Sequence, residues 1–388
     1  MFEIGVARPW GPRSEYDGFW NALEQARVAD EVGFTHVWAV EHHFLDEFSH
    51  SSAPEVWLTA VAQHTGRIRI GHGVVQVPAG FNHPVRVAER AAVLDIMSNG
   101  RLEFGTGRSI TTSELEGFGI PLEHSRPQWR EAVELIPRIW TAEGPIHFEG
   151  SYTTIPGKEI FPKPLQKPHP PMWAAATSPP SYALAGELGL GVLGFATGIT
   201  PEVIARRVAE YRAALANANP VGAVNDNVGT FLMTYCAQTD EEARRVAEAP
   251  FAAYLDQTME HFLHWGRGGD LPPGYEWYAE ASKKGAKLAE HMKFDYLFDN
   301  GVVLVGTPDT ICRNIKTFQD VGVTQILTGT QYPGITQEQA IASMRLFGQE
   351  VIPQFREVGA PANVPADISV HPSINGAVDK LAGVGRAG

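Results

Sequence analysis

The chain has 388 residues and a formal net charge of −13, with 44% hydrophobic and 19% charged residues. This composition supplies a large apolar core and argues against disorder, and so acidic a chain repels phosphate backbones, which excludes nucleic acid as an expected partner. Two cysteines, Cys236 and Cys312, are too few for a disulfide framework or a metal cluster and fit a reducing compartment.

The N-terminus and the hydropathy pattern favour a protein outside the membrane. Residues 1–11 lack the basic start and the apolar run of a signal peptide. No apolar stretch approaches the roughly 20 residues that a membrane span needs. We therefore expect a soluble, cytoplasmic protein without a membrane partner.

Short apolar runs alternate with segments of helical period along most of the chain. The predicted strands are Phe2–Ala7, Thr35–Val40, Ile68–Val75, Arg101–Gly105, Met172–Thr177, Gly191–Phe195, Val228–Ala237 and Gln325–Thr328. The predicted helices are Asp17–Val32, Pro54–His64, Pro84–Met97, Arg126–Thr141, one from about Ser178 to before Gly189, Pro201–Ala216, Asp240–His264 and Thr336–Phe355.

This alternation predicts an α/β fold, a (β/α)₈ TIM barrel within a single domain at residues 1–357. Eight strands joined by right-handed crossovers pair in parallel, and eight is the number that closes a barrel. An open doubly wound sheet is the alternative. It would show a glycine-rich dinucleotide turn after the first strand, where this chain has ARPWGP.

Three segments depart from the repeat. Residues 142–171, rich in proline and glycine, are predicted as a loop or small hairpin. Residues 265–301 are too long and polar for a simple connection, which indicates a lid-like insertion before the last strand, or a solvent-exposed insertion without a function. Residues 358–388 are predicted to be a weakly ordered extension. The glycines and aromatic residues of the predicted lid are Trp265, Gly266, Gly268, Gly269, Gly274, Tyr275, Trp277 and Tyr278.

Two histidines follow the second predicted strand, in the run EHHF at residues 41–44. Catalytic groups of barrels gather at the carboxyl ends of the strands, and an imidazole suits proton transfer near neutral pH. Neighbouring residues of a strand face opposite sides, so His42 and His43 cannot both enter the barrel mouth. A structural histidine pair is the alternative, and no second cluster of ligands favours a metal site.

Two further strand ends carry groups suited to binding phosphate. The run FGTGRS places Arg108 after the fourth strand, and ATSPPS places Thr177, Ser178 and Ser181 before a helix. An arginine fork and the hydroxyls and amides of a helix N-terminus both bind phosphate. A surface arginine and simple capping by Ser178 are the alternatives. Because the two runs follow consecutive strands, we expect them to converge on one phosphate.

Several separated motifs, in order along residues 1–356, resemble the bacterial luciferase family, most closely its catalytic alpha subunit. They are EHHF at 41–44, FNHPVRVAERAAVLDIMSNGRLEFGTGRS at 81–109, VGTPDTICRNI at 305–315 and IASMRLFGQEVIPQF at 341–355. The resemblance implies a (β/α)₈ barrel that receives reduced FMN from a separate flavin reductase. The reduced FMN reacts with O₂ to form a hydroperoxyflavin, which oxygenates an aldehyde, ketone or aliphatic substrate.

The resemblance also assigns roles to residues of this chain. His42 matches the family's catalytic acid–base histidine, and His43 and Glu41 match neighbouring positions with supporting roles. Arg108 matches a ligand of the flavin phosphate. Thr177, Ser178 and Ser181 fall where the other phosphate contacts lie, and Val75 and Thr106 are expected to line the flavin ring.

Two departures from the family's pattern bear on the activity. Gly107 replaces the family's reactive cysteine, and Thr177 replaces an acidic residue at the phosphate turn. Both changes are compatible with flavin binding but weaken the case for light emission and for a long-chain aldehyde substrate. Trp10, Phe48 and Phe195 lie at predicted strand ends. They either shape a substrate pocket that differs from that of the luciferase or are ordinary core or rim aromatic residues.

The family pattern further implies a homodimer in which the second and third helices pack across a two-fold axis. The small apolar residues expected at that surface are Ala60, Val61, Val87, Ala91 and Ala92. Three other functions stay open at this point: a deazaflavin-dependent oxidoreductase of the same fold, a non-catalytic flavin-binding subunit, and a metal-dependent barrel hydrolase.

Overall fold

The computed structural model describes residues 1–109, 111–195, 198–262 and 290–355. All the residues named for the predicted lid, from Trp265 to Tyr278, and the predicted extension 358–388 lie outside the described residues. Within the described end of the predicted insertion lies one short helix, Phe294–Asp299.

A curled sheet of parallel strands forms the centre of the described fold. Its strands are β1 His36–Ala39, β2 Arg69–His72, β3 Val75–Gln76, β4 Leu102–Gly107, β7 Met172–Ala176, β8 Gly191–Phe195, β9 Val228–Cys236, β10 Leu304–Gly306 and β11 Gln325–Gly329; β5 and β6 form a separate hairpin described below. The strands pair in the order β1, β2, β4, β7, β8, β9 and β10, with β3 beside β4 and β11 beside β9. This arrangement is the predicted (β/α)₈ barrel.

The N-terminal segment joins the first and last strands of this sheet. Phe2 forms a parallel bridge with Ala39 of β1, and the amino group of Met1 donates a hydrogen bond to the carbonyl oxygen of Thr328 in β11 (2.6 Å). The predicted strand Phe2–Ala7 is therefore reduced to one bridge. It still connects the two ends of the sheet, which an open doubly wound sheet would not do.

Helices cover the outside of the barrel, and local signals fix several of their ends. Pro54 and Pro84 occupy first turns, where the missing N–H of proline costs no hydrogen bond. Gly33 ends the first helix with φ of 102°, a left-handed conformation that glycine adopts without steric cost. The helices are α1 Ser14–Val32, α2 Pro54–His64, α3 Pro84–Met97, α4 Thr112–Gly117, α5 Leu122–Thr141, α6 Pro179–Glu187, α7 Pro201–Leu215, α8 Asp240–Phe262, α9 Phe294–Asp299, α10 Pro308–Asp320 and α11 Gln337–Leu346.

None of the described helices is both long and apolar enough to cross a lipid bilayer. After α11 the chain continues through a π-turn at Phe347–Val351 and a 3₁₀ turn at Ile352–Gln354. The predicted closing helix Thr336–Phe355 therefore changes its hydrogen-bond pattern in its second half.

The small hairpin foreseen as one alternative for residues 142–171 is confirmed, and four other elements differ from the sequence-based expectation. The segment predicted as a loop or small hairpin contains an antiparallel hairpin, β5 Ile146–Glu149 with β6 Thr154–Lys158. The predicted strand Ile68–Val75 is interrupted at the cis peptide between Gly73 and Val74. Helix α4, strand β10 and helix α10 were not predicted; β10 pairs only with the far end of β9, so it extends the barrel rather than closing it.

The small residues of α2 and α3 that were predicted to form a dimer surface mostly face the interior of the chain. Val61, Val87, Ala91 and Ala92 are buried in the core of the chain itself, and Ala60 is half-buried. The expectation for these residues was wrong because helical spacing alone does not say which face meets the barrel. The large apolar side chains of α2 and α3 that do reach the surface are Val56, Val93, Ile96 and Met97.

Candidate active site

A cavity of about 330 Å³ lies where the carboxyl ends of the strands meet. This is the end of a barrel at which active sites form, and the volume suits a small organic ligand. The residues that follow β1, β2 and β4 and those at the ends of β7 and β8 all contribute to its wall.

His42 lines this cavity at the end of β1. Its Nδ1 lies 3.0 Å from Oε1 of Glu114, and its Nε2 faces Oε2 of Glu3 at 3.8 Å. Burial of the ring opposes its charged form, but the charge of Glu114, the hydrogen bond to it and the charges of Glu3 and Glu41 prevail and raise the pKa of His42 to about 9. The side chain is therefore an imidazolium at neutral pH.

Glu114 of α4 is the residue that holds His42. Its carboxylate is fully buried and accepts hydrogen bonds from the ring of His42, the backbone N–H of His43, and the hydroxyls of Ser109 and Thr111. Burial alone would raise the pKa of Glu114, but the charge and hydrogen bond of His42 and the two hydroxyls lower it to about 2. The two residues thus form a buried ion pair with a fixed orientation.

His43 does not line the cavity, whereas its neighbour His42 does, and both follow the end of β1. Its Nε2 lies 3.1 Å from Oε1 of Glu41, and its ring packs against Phe118 at 4.9 Å. Glu41 also accepts hydrogen bonds from the backbone N–H of Gln76 (2.7 Å) and the side-chain amide of Asn82 (2.9 Å). His43 therefore belongs to a network behind the wall and not to the cavity surface.

Arginines and hydroxyls form another part of the cavity wall. Arg108, Thr177 and Ser181, predicted for this place, line the cavity together with Arg126 of α5. Nη1 of Arg108 donates to Oγ of Ser125 (3.0 Å), which fixes the direction of the guanidinium. The structure thus places two strand ends and the start of α5 on the wall of one cavity, and we call Arg108, Arg126, Thr177 and Ser181 its basic corner.

Ser178 lies directly behind this corner. Its side chain is buried, is absent from the cavity wall, and pairs with the hydroxyl of Ser181 at 2.8 Å. It occupies the N-cap position of α6, but its hydroxyl makes no capping bond. Ser178 is therefore placed to orient Ser181 rather than to cap the helix.

Val75 and Thr106, expected to line the ring-binding surface, do not lie on the cavity wall. Both are buried, and the Thr106 hydroxyl donates to the carbonyl oxygen of Trp173 (2.9 Å). Their neighbours Val74 and Gly107 face the cavity instead. The expectation was one residue out of register, and in a strand such an error moves a side chain to the other face.

Four aromatic rings form a further part of the cavity wall. Phe48 stacks on Tyr254 with ring centroids 5.1 Å apart, and Phe195 stacks on Phe231 at 5.3 Å. Phe48 and Phe195 are thus where the sequence placed them. Trp10 is not, because its ring is 44% exposed and lies against the Arg8 guanidinium outside the cavity.

Residues 3–325 of the chain match the family model described as luciferase-like monooxygenase. The chain belongs to the luciferase-like monooxygenase family. The resemblance drawn from EHHF and the motifs that follow it is therefore confirmed.

Relatives in this family differ in their cofactors. The oxygenase component of a flavin-dependent trigonelline monooxygenase from Acinetobacter baylyi is 25% identical over 341 residues, covering 86% of this chain and 89% of that protein. An F420-dependent glucose-6-phosphate dehydrogenase from Amycolatopsis mediterranei is 26% identical over 370 residues, covering 92% and 100%. The oxygenating constituent of 3,6-diketocamphane monooxygenase from Pseudomonas putida, solved with FMN, shares the fold with a TM-score of 0.72 and 23% identity, covering 91% and 97%.

Sequence reasoning missed four residues of the site. Glu114 had a signal, because Thr111 to Glu114 has the spacing of a capping box, but that pattern predicts a helix start and says nothing of His42. Arg126 coincided with a predicted helix start. Glu3 and Arg207, the latter a buried residue of α7 that lines the cavity, carry no local signal at all.

Proposed function

We propose that this protein is a flavin-dependent monooxygenase that uses reduced FMN and O₂ to oxygenate a small organic substrate such as an aldehyde, ketone or aliphatic compound. The observation that carries the proposal is the division of one cavity into a basic corner and a buried imidazolium. The first suits the phosphate of a flavin mononucleotide, and the second suits proton transfer to a reacting oxygen.

The residues of the basic corner fit the phosphate group by chemistry and position. Arg108 and Arg126 would supply charge-assisted hydrogen bonds, and Thr177 and Ser181 would add hydroxyl donors beside the N-terminus of α6. Val74 and Gly107 would face the flat ring. Glycine at position 107, where the family has a cysteine, fits this wall. A Cβ built there would lie 2.3 Å from Cγ2 of Val74, which leaves no room for a side chain.

When bound, the reduced flavin supplies the electrons that activate O₂. We assign His42 the role of a proton donor through Nε2, because Glu114 engages Nδ1 and keeps the ring protonated at neutral pH. The apolar wall limits the access of water to the reacting atoms. The net reaction places one oxygen atom in the substrate and reduces the other to water, which accounts for both electrons of the reduced flavin.

The reduced flavin would come from a separate reductase. The relative from Acinetobacter baylyi is an oxygenase component, which supports a two-component system here. We expect the purified chain to oxidise NADH or NADPH negligibly by itself and to turn over only when a flavin reductase is added. Turnover with NADH and FMN alone would contradict this part of the proposal.

Rapid mixing tests the proposal directly. The protein with photoreduced FMN is mixed with oxygenated buffer, and the near-UV absorbance is followed. We expect a long-lived absorbing species that decays faster in His42→Ala than in the wild type, with the exposed Glu116→Gln as a matched control. Reoxidation indistinguishable from that of unbound FMN would contradict the monooxygenase assignment.

A deazaflavin-dependent oxidoreductase is the second candidate, because one relative of similar identity uses F420. Both cofactors carry a phosphate, so the basic corner alone does not discriminate between them. Equilibrium dialysis against FMN and F420 separates the two proposals. Tighter binding of F420, with hydride transfer and no uptake of oxygen, would replace the monooxygenase by a dehydrogenase or reductase.

We also propose a homodimer, with the exposed side chains of α2 and α3 at its two-fold axis. Val56 is 68% exposed, and Val93, Ile96 and Met97 are 42–46% exposed, so these two packed helices present large apolar side chains at the surface of the chain. In sedimentation velocity we expect a dimer that Val93→Glu converts to monomer. Val224→Glu, at an exposed position outside these helices, is the control and should remain dimeric. A wild-type monomer at micromolar concentration would contradict the proposal.

A further inference from the structure

The carboxylate of Glu3 is an incompletely satisfied polar group on the cavity wall among the described residues. Its Oε2 is covered from solvent and has no hydrogen-bond partner there, and its Oε1 lies 3.4 Å from the hydroxyl of Tyr254. That second distance exceeds the usual length of a hydroxyl–carboxylate bond. A buried acceptor without a partner is costly, so a ligand group that bonds to it would gain affinity.

The position of His42 narrows the kind of group that fits. Its Nε2 lies 3.8 Å from Oε2 of Glu3, which is too long for a direct hydrogen bond. Two atoms at this separation can share one oxygen atom about 2.8 Å from each, and a turn of the Glu3 side chain, which lines the cavity, would present Oε2 to it. Such an oxygen would accept from the imidazolium and donate to the carboxylate, which a hydroxyl group does and an ether or ketone oxygen does not.

The charges around this point select an uncharged ligand. An ammonium group would lie beside the imidazolium of His42, and a carboxylate would lie beside Glu3 and within reach of the field of Glu114. The amino group of Met1, also on the wall, is mainly neutral near pH 7, because burial lowers its pKa to about 5. A neutral hydroxyl can donate to Glu3 when the carboxyl is ionised and accept from it when the carboxyl is protonated.

The aromatic rings beside Glu3 indicate what carries the hydroxyl. Tyr254, whose hydroxyl is the neighbour of Glu3, is stacked with Phe48 and lies 6.4 Å from Phe231. Phe195 continues the same surface on the other side of Phe231. Flat rings gain both apolar burial and favourable ring–ring geometry against such a wall.

We infer that Glu3 and Nε2 of His42 together bind a ring hydroxyl, so that the substrate is an uncharged aromatic compound bearing a hydroxyl group. This inference rests on the proposed function for the identity of the site as a substrate site. It adds Glu3 as a substrate-binding residue and narrows the substrate class from small organic molecules in general.

Binding of simple probes to the full chain tests the inference without any cofactor. Isothermal titration calorimetry is carried out with 2-naphthol, 2-methoxynaphthalene and 2-naphthoate. We expect 2-naphthol to bind at least about ten-fold more tightly than the other two, which is the size of one lost hydrogen bond to a charged group. Equal affinities for the three probes would overturn the inference.

Variants assign the selectivity to Glu3. Glu3→Met should weaken 2-naphthol about ten-fold and leave 2-methoxynaphthalene unchanged, because only the hydroxyl loses its acceptor. Glu3→Gln, which keeps the volume and an acceptor oxygen, should retain part of the affinity. Glu116→Gln is the control for a carboxylate lost elsewhere. Undiminished 2-naphthol binding in a folded Glu3→Met, verified by circular dichroism, would also overturn the inference.

The outcome separates this inference from the proposed function. Selective 2-naphthol binding that depends on Glu3, in a protein that binds no FMN, would leave the inference standing and remove the monooxygenase. FMN binding that depends on Arg108, without selectivity among the three probes, would remove the inference alone.

Discussion

The two polar sides of the cavity are built in opposite ways. On the His42 side, Glu114 accepts four hydrogen bonds, from the ring of His42, the backbone of His43, and Ser109 and Thr111, and so holds the imidazolium in place. Elsewhere on the wall, the basic corner presents cations and hydroxyls. The first side fixes the charge state of a side chain before any ligand arrives, whereas the second presents donors for a ligand that carries negative charge.

Under the proposed function, this difference would let one barrel mouth both orient a cofactor and perform proton chemistry. A phosphate would be attracted to the corner formed by Arg108 and Arg126 and repelled by the carboxylates near His42. The ligand would therefore bind with its anionic end at the basic corner. The contrast predicts that substitutions on the two sides affect different measurements, and four experiments examine this.

The largest effect is expected at the basic corner. Arg108→Met should weaken FMN binding about 10- to 100-fold, because it removes charge-assisted hydrogen bonds to the phosphate. Riboflavin, which has no phosphate, should bind the variant and the wild type alike. Arg86→Met, at a side chain that is 71% exposed, is the control. Fluorescence titration measures all three, and equal losses for FMN and riboflavin would show that Arg108 does not contact phosphate.

The next largest effect is expected at Gly107, which lies on the cavity wall. Gly107→Ala places a Cβ 2.3 Å from Cγ2 of Val74 and should reduce the free energy of unfolding by about 1–3 kcal/mol. Val74→Ala in the same chain should restore most of that loss. Gly144→Ala, where the new Cβ meets no atom within 4 Å, is the matched control. Urea unfolding of the four proteins tests the clash, and a stable Gly107→Ala would refute it.

On the acidic side, Glu114→Gln should lower the pKa of His42 by at least about one unit, since it removes the nearest negative charge. The exposed Glu116→Gln, two residues along the same helix, should leave that pKa unchanged. NMR titration of labelled histidine, with His42→Asn to assign the signal, gives both values. The same pKa in all three proteins that retain His42 would mean that Glu114 does not set its charge.

The smallest effect is on the pH dependence of stability. The pKa of His42 rises from 6.5 to about 9 in the folded chain, so its contribution is complete below pH 6.5 and is lost as the pH rises through about 9. The free energy of unfolding of the wild type should therefore fall more between pH 6.5 and 9.5 than that of His42→Asn. Parallel urea-derived profiles for the two proteins would contradict the ion pair.

Much of the fold could be read from local patterns. Helices α2 and α3 and strand β8 have the predicted bounds, because proline at a helix start and a run of apolar residues are local signals. Strand β10 and helix α4, of three and six residues, were missed because neither segment shows a recognisable period. The π-turn after α11 was missed because helical spacing does not reveal a change of hydrogen-bond partner.

The barrel, the strand ends that carry the site and the family could all be predicted, because these depend on periodicity and on motifs of neighbouring residues. Periodicity did not show which residues at the strand ends face the cavity, so Val74 and Gly107 line it where Val75 and Thr106 were expected. The partners of His42 became known from the three-dimensional arrangement alone. Glu114 lies 72 residues away along the chain, and closure of the barrel alone brings two such groups within 3.0 Å.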